Sequence, residues 1–169
     1  SLDGVQPVQA DVNHPDEIST LFDPAIVYAK GGRLLVMVRR LIGEEAFRAG
    51  LKSYFEKFAY QNTVGNDLWQ ELETASEQPI VDLMNSWISQ PGLPIVQVEQ
   101  NNSGEQPTAM LRQERFFIGE HQPSDALWPI PLFANQPLDD EILTEREKIF
   151  SIEKPLQVNC GLNGHFVTK

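Results

Sequence analysis

The sequence predicts an α + β protein in two modules, helices first and a small antiparallel β-sandwich after them. Up to about Gly92, apolar residues recur at three- and four-residue steps, as they do along one face of a helix. Beyond Gly92 the period shortens. Pro94-Ile95-Val96-Gln97-Val98-Glu99-Gln100 alternates as a strand does, and Asn101-Asn102-Ser103-Gly104 is a turn. Gln90-Pro91-Gly92 stands between the two regimes and stops the last helix. The boundary therefore falls there, giving modules 1–92 and 93–169.

The first residues are irregular, with Pro7 and Pro15 breaking any regular element. Val5, Val8 and Val12 suit a short extended segment, and His14-Pro15-Asp16-Glu17-Ile18 a turn into a short helix. The first long helix is expected over 24–43. Asp23 caps it, Pro24 suits its first position, and Phe22 staples back onto its first turn. Arg39 and Arg40 complement the negative end of its dipole before Gly43 ends it. Because it is apolar on most faces, this helix is expected inside the helical module. Gly31 and Gly32 each cost a helix about 1 kcal/mol relative to alanine, which implies a compensating close approach of backbone or ligand.

Glu44-Glu45 opens a second helix with Ala46, Phe47, Leu51, Tyr54 and Phe55 as its apolar face. The loop 62–66 ends in a capping residue, Asn66, and a third helix follows with Leu68, Trp69 and Leu72 on one side. Pro79 opens a fourth, whose stripe is Ile80, Leu83, Met84, Trp87 and Ile88. After the first strand, further strands are expected at 110–118, 127–133, 142–150, 156–160 and 165–168, separated by turns as in a sandwich. Trp69 and Trp87 are expected to pack between helices, and Trp128 between the sheets.

Composition narrows the possible partners. The net charge of −11 over 169 residues argues against nucleic acid and anionic membrane. That charge is even, with 7 basic against 13 acidic residues in 1–92 and 6 against 11 in 93–169. No apolar run approaches the ~20 residues of a membrane span. Ser1-Leu2-Asp3-Gly4 carries no signal-peptide pattern and reads as the cut end of a longer chain. The lone Cys160 forms no internal disulfide and fits a reducing compartment.

On residue types and spacing alone, no self-contained catalytic set emerges. His14, His121 and His165 are far apart, none forms an HExxH pair, and Cys160 has no CxxC partner. There is no phosphate-cradling glycine loop and no nucleophile elbow. Asp139-Asp140-Glu141 reads as a solvated turn, Glu44-Glu45 as a helix start, and Tyr28 as a core tyrosine.

The order Phe22-Asp23, then Tyr28-Ala29-Lys30-Gly31, resembles the pattern F-D-x-x-x-Y-x-K-G of the aminopeptidase N family of zinc metallopeptidases, the gluzincins. The likeness continues in collinear order through Leu41-Ile42-Gly43, Phe47, Tyr60, Asn62, Asp67-Leu68-Trp69, Trp87, Gln90, Gly92 and Pro94. It reaches the β module at Gln113, Arg115, Phe116 and Trp128-Pro129-Ile130-Pro131-Leu132. The wording of residues 23–31, with Phe117-Ile118-Gly119-Glu120, is most similar to the bacterial, lactic-acid-type branch.

This resemblance implies that 1–92 is the helical second half of a thermolysin-like catalytic domain and that 93–169 is the β-sandwich following it. The family's HExxH motif and third zinc ligand match no residue here, so the resemblance implies a fragment, with Zn²⁺ bound by other parts of the same polypeptide. Peptide substrates, hydrolysis of the N-terminal peptide bond and a cytoplasmic location are implied with it. The family's catalytic tyrosine, which donates a hydrogen bond to the oxyanion of the tetrahedral intermediate, maps onto Tyr28. Lys30 reads as structural by default, with a place supporting the site as its alternative. The rival from another class is a non-catalytic interaction or scaffold domain derived from the same family. A second rival is a different gluzincin branch, an epoxide hydrolase with aminopeptidase activity.

Overall fold

The structure is a computed structural model that describes residues 25–104, 106–117 and 124–169. The proposed cap and staple at Phe22, Asp23 and Pro24, the segment around Val5 to His14, and His121 lie outside the described residues. The first helix enters as a π-helical turn, Ala25–Lys30, that runs directly into α1, Gly31–Ile42. Gly43 closes α1 with φ +83° and donates its N–H to the Arg39 carbonyl at 3.0 Å.

Two expectations about this helix are corrected. It is not apolar-buried all round: Leu34, Met37 and Val38 form one buried stripe, while Val36, Arg39 and Arg40 are exposed. The i, i+3, i+4 row is fully buried, Leu35, Leu41 and Ile42 pack half-buried at its margins, and Val36 stays on the surface. The glycine pair marks no close approach either, since a Cβ on Gly31 or Gly32 would meet nothing within 4 Å.

The close approach is at Gly50, in α2 (Glu44–Lys57), which packs on α3 (Gly65–Ser76). A Cβ there would lie 2.9 Å from Leu72 Cδ2 and 3.0 Å from Leu72 Cα. Beside this contact Glu71 accepts hydrogen bonds from Ser53 Oγ at 2.6 Å and Lys57 Nζ at 2.7 Å. Gly50, rather than Phe55, is therefore the buried member of α2, and Phe55 stands exposed. At the start of α3 it is Asp67, not Asn66, that caps, its carboxylate accepting the Val64 N–H at 2.9 Å. In α4, Ile80–Ser89, the stripe Ile80, Leu83, Met84, Trp87 and Ile88 is buried as its spacing predicts. Glu73 of α3 accepts the Val81 N–H at 2.9 Å and so satisfies one orphan amide of α4.

The strands are β1 (Pro94–Asn101), β2 (Thr108–Arg115), β3 (Ile130–Pro131), β4 (Ile142–Leu143), β5 (Glu147–Ser151) and β6 (Val167–Thr168). β1 and β2 pair antiparallel with Pro94 opposite Arg115. The four-stranded sheet runs β5-β2-β1-β6, and β3 pairs with β4 apart from it. The expected sheet is antiparallel throughout, whereas β6 lies parallel to β1.

Four expected strands are shortened, divided or missing, 165–168 among them, which keeps only Val167–Thr168. Of 127–133 only two residues pair as strand, 142–150 divides into β4 and β5, and 156–160 is irregular. Side-chain amides take the place of the missing ladders. Gln113 Oε1 accepts the Trp128 N–H at 2.9 Å while its Nε2 donates to the Trp128 carbonyl at 2.9 Å. Gln100 does the same to Leu156, at 2.9 and 3.1 Å. A primary amide carries the same donor and acceptor as a peptide group, so each of these residues is held as a neighbouring strand would hold it.

One core runs through the described residues, from Leu34 of α1 and Trp87 of α4 to Leu111, Leu143 and Phe150 of the strands. Trp87 and Trp128 meet across it with ring centroids 6.2 Å apart, and Trp87 Nε1 donates to the Pro129 carbonyl at 2.8 Å. Both tryptophans thus bridge the helices to the irregular β segment, instead of packing each within its own module.

Candidate functional site

Tyr28 and Lys30 sit on the same π-helical turn and face opposite environments. Tyr28 is 70% exposed, which removes the reading of it as a core residue. Lys30 is 9% exposed, and its ammonium donates to the Gln90 carbonyl at 2.7 Å and the Gly92 carbonyl at 3.1 Å. Those carbonyls belong to the segment where α4 has ended and β1 has not begun, so they have no helical or ladder partner to satisfy them. One turn further, Arg33 Nη2 reaches the Leu162 carbonyl at 2.5 Å and the Gly164 carbonyl at 3.5 Å. Two cations three residues apart thus tie the tyrosine-bearing segment to two separate parts of the chain.

The surroundings are positively biased. Burial, and secondarily the nearby Arg115 guanidinium, pull the Lys30 ammonium down to about 8 from an ordinary 10.5. His165 lies against Trp87, ring centroids 5.9 Å apart, and burial followed by the charges of Lys30 and Arg33 takes its imidazole down to about 4. His165 is therefore neutral at pH 7. Arg115 stacks on Phe117 with 4.9 Å from its guanidinium carbon to the ring centroid. Its Nε lies 3.1 Å from where a Cβ of Gly92 would be, and Gly92 also holds φ +86°, so both space and backbone demand glycine there.

The remaining sequence candidates fall elsewhere. Asp140 pairs with Lys148, and Glu44 with Arg39 at 2.6 Å, both on the surface. Cys160 is a free, half-buried thiol in the irregular segment. The cleft lined by Arg40, Leu41, Leu132 and Glu141 does not include Tyr28. Among the described residues no group of three or more His, Cys, Asp or Glu side chains could hold a metal ion, and no helix is long and apolar enough to cross a membrane. What this region offers chemically is an exposed phenolic O–H that can donate a hydrogen bond. Arg33 and His165 were not singled out from the sequence for this site. The signal available for Arg33 was its place three residues after Lys30, one helical turn along.

Comparison with known proteins places the chain. The profile of the peptidase family M1 domain matches residues 1–87. The chain belongs to this family. Among curated relatives, aminopeptidase N of Lactococcus lactis subsp. lactis is 47% identical over 176 residues, covering 99% of this chain and 20% of the relative. Aminopeptidase N of Lactobacillus helveticus is 44% identical, over 100% of this chain and 20% of the relative. Tricorn protease-interacting factor F2 of Thermoplasma volcanium is 34% identical, over 98% and 20%. The chain thus spans about a fifth of the length of the curated relatives it matches. The tyrosine-and-lysine turn lies within the region that the family profile matches.

Proposed function

We propose that this chain is part of a zinc-dependent aminopeptidase that hydrolyses the N-terminal peptide bond of peptides, and that Tyr28 stabilises the oxyanion of the tetrahedral intermediate. In this reading residues 1–92 are the helical second half of a thermolysin-like catalytic domain, 93–169 are a β-sandwich, and the enzyme works in the cytoplasm. The observation that supports it best is the exposure of Tyr28: a large aromatic on a π turn, an element found often at functional sites, standing out while the residue two positions on is buried and anchored. A fixed neutral donor is worth most where negative charge develops only in the transition state. In this reading the zinc is held by other parts of the polypeptide, and the role assigned in this chain is the tyrosine's alone.

The test is Tyr28→Phe in the full-length enzyme. Zinc content and melting temperature are expected to stay at wild type while kcat falls by about 10²–10³-fold, the usual loss for one oxyanion donor. Turnover close to wild type would overturn the assignment. The chain expressed by itself is expected to hydrolyse no peptide.

A further inference from the structure

We propose that Lys30 is a positioning residue for Tyr28, acting through its backbone clasp on the segment that joins α4 to β1. The inference rests on the reading of Tyr28 given above and extends it to how the hydroxyl is held in place. Tyr28 is exposed, so burial in the core does not fix its side chain. A π turn has wider hydrogen-bonded rings than an α-helix, and no compensating close contact holds the next two residues, Gly31 and Gly32. On the other side of the turn Lys30 goes inward and ties it to carbonyls 60 and 62 positions further along the chain.

Two features show that this clasp is not incidental packing. The lysine ammonium is buried beside a second cation, Arg115, with no carboxylate among the described residues bonded to it, an arrangement costly for a charge. It is nevertheless held by two carbonyls from residues 90 and 92, at 2.7 and 3.1 Å. The receiving segment is itself rigid. Gln90 Nε2 donates to the Leu127 carbonyl at 3.0 Å and to Ser86 Oγ at 3.0 Å, and Gly92 is confined by its left-handed backbone and by Arg115. A firm anchor is thus linked, through one side chain, to the turn whose exposed face bears the phenol.

Lys30→Met keeps the length of the stem and removes the donors. In the full-length enzyme it is expected to lower kcat by roughly 10–100-fold with KM within about threefold, the scale on which misplacing a catalytic group acts. Made in the Tyr28→Phe background, the same substitution is expected to cost less than about twofold more, because a positioning residue has nothing left to position. Lys30→Arg, which retains donors and charge, is expected to recover most of the kcat. An equal loss in both backgrounds, or a lowered melting temperature with kcat unchanged, would overturn the proposal. Should Lys30→Met not accumulate as folded enzyme, Lys30→Gln is read in the same two backgrounds. A Tyr28→Phe enzyme with wild-type turnover would instead overturn the reading of Tyr28, so the two failures are separable.

Discussion

His165 shows what a single side chain contributes at the seam. With its imidazole at about 4 in the folded chain against 6.5 ordinarily, it stays neutral where an unfolded histidine takes up a proton. Between pH 6.5 and pH 4 the unfolded state therefore binds more protons, and stability falls as pH drops through that window. The melting temperature of the wild type is expected to decline more steeply over this range than that of His165→Asn. Parallel slopes would count against a buried neutral imidazole. None of this is visible in sequence, where His165 has only Gly and Phe beside it. The burial comes with tertiary packing, against Trp87 among others, and the charges of Lys30 and Arg33 come from more than 130 positions away. For Tyr28 the sequence carries two signals, a motif that marks it and apolar surroundings that suggest burial, and the structure decides only the second, leaving the side chain exposed.

Among the elements, the helices were the more legible because a helix satisfies its backbone locally and its burial follows its own period. The α4 stripe was readable to the residue. Gly50 was not, since a glycine in a helix gives no hint of which backbone comes close to it. With Leu72 Cα only 3.0 Å from a built Cβ, Gly50→Val has no room without separating α2 from α3. It is expected to destabilise the protein by about 1–3 kcal/mol, the usual cost of overpacking, read as a lowered denaturation midpoint. An unchanged midpoint would mean that the two helices can shift apart freely. The strands were legible where two backbones pair, as in β1 and β2, and misread at 127–133 and 156–160. There the apolar alternation is present, but Gln113 and Gln100 provide the hydrogen bonds that a neighbouring strand would. Alternation records which side chains go inward and says nothing of whether backbone or side chain closes the hydrogen bonds.

For the whole molecule, the sequence marks a change of regime at Gln90-Pro91-Gly92, yet the core crosses it without a break. Trp87 and Trp128 meet across it, Lys30 reaches from the first helix to carbonyls of the boundary itself, and Arg33 reaches one beyond it. Helical and strand signals are therefore expected to disappear together on unfolding. Trp87→Ala, which deletes a fully buried ring and its bond to Pro129, is expected to cost about 3–5 kcal/mol. Far-ultraviolet circular dichroism and tryptophan fluorescence of the wild type should give coincident transitions. Separate midpoints would show two units that fold independently.

The amide side chains that stand in for strands also determine how solvent protons reach the backbone. Trp128, Glu153, Leu156, Gln157 and Gly164 are outside the strands, yet each donates its N–H to a side-chain oxygen of Gln113, Gln136, Gln100, Asn135 or Asn159, at 2.8–3.0 Å. In deuterium oxide these five should exchange slowly, as ladder amides do, while neighbouring loop amides exchange at once. A map of slow amides would then outline more sheet than backbone pairing contains. Replacing a single glutamine, as in Gln100→Ala, would erase one point of it, at Leu156.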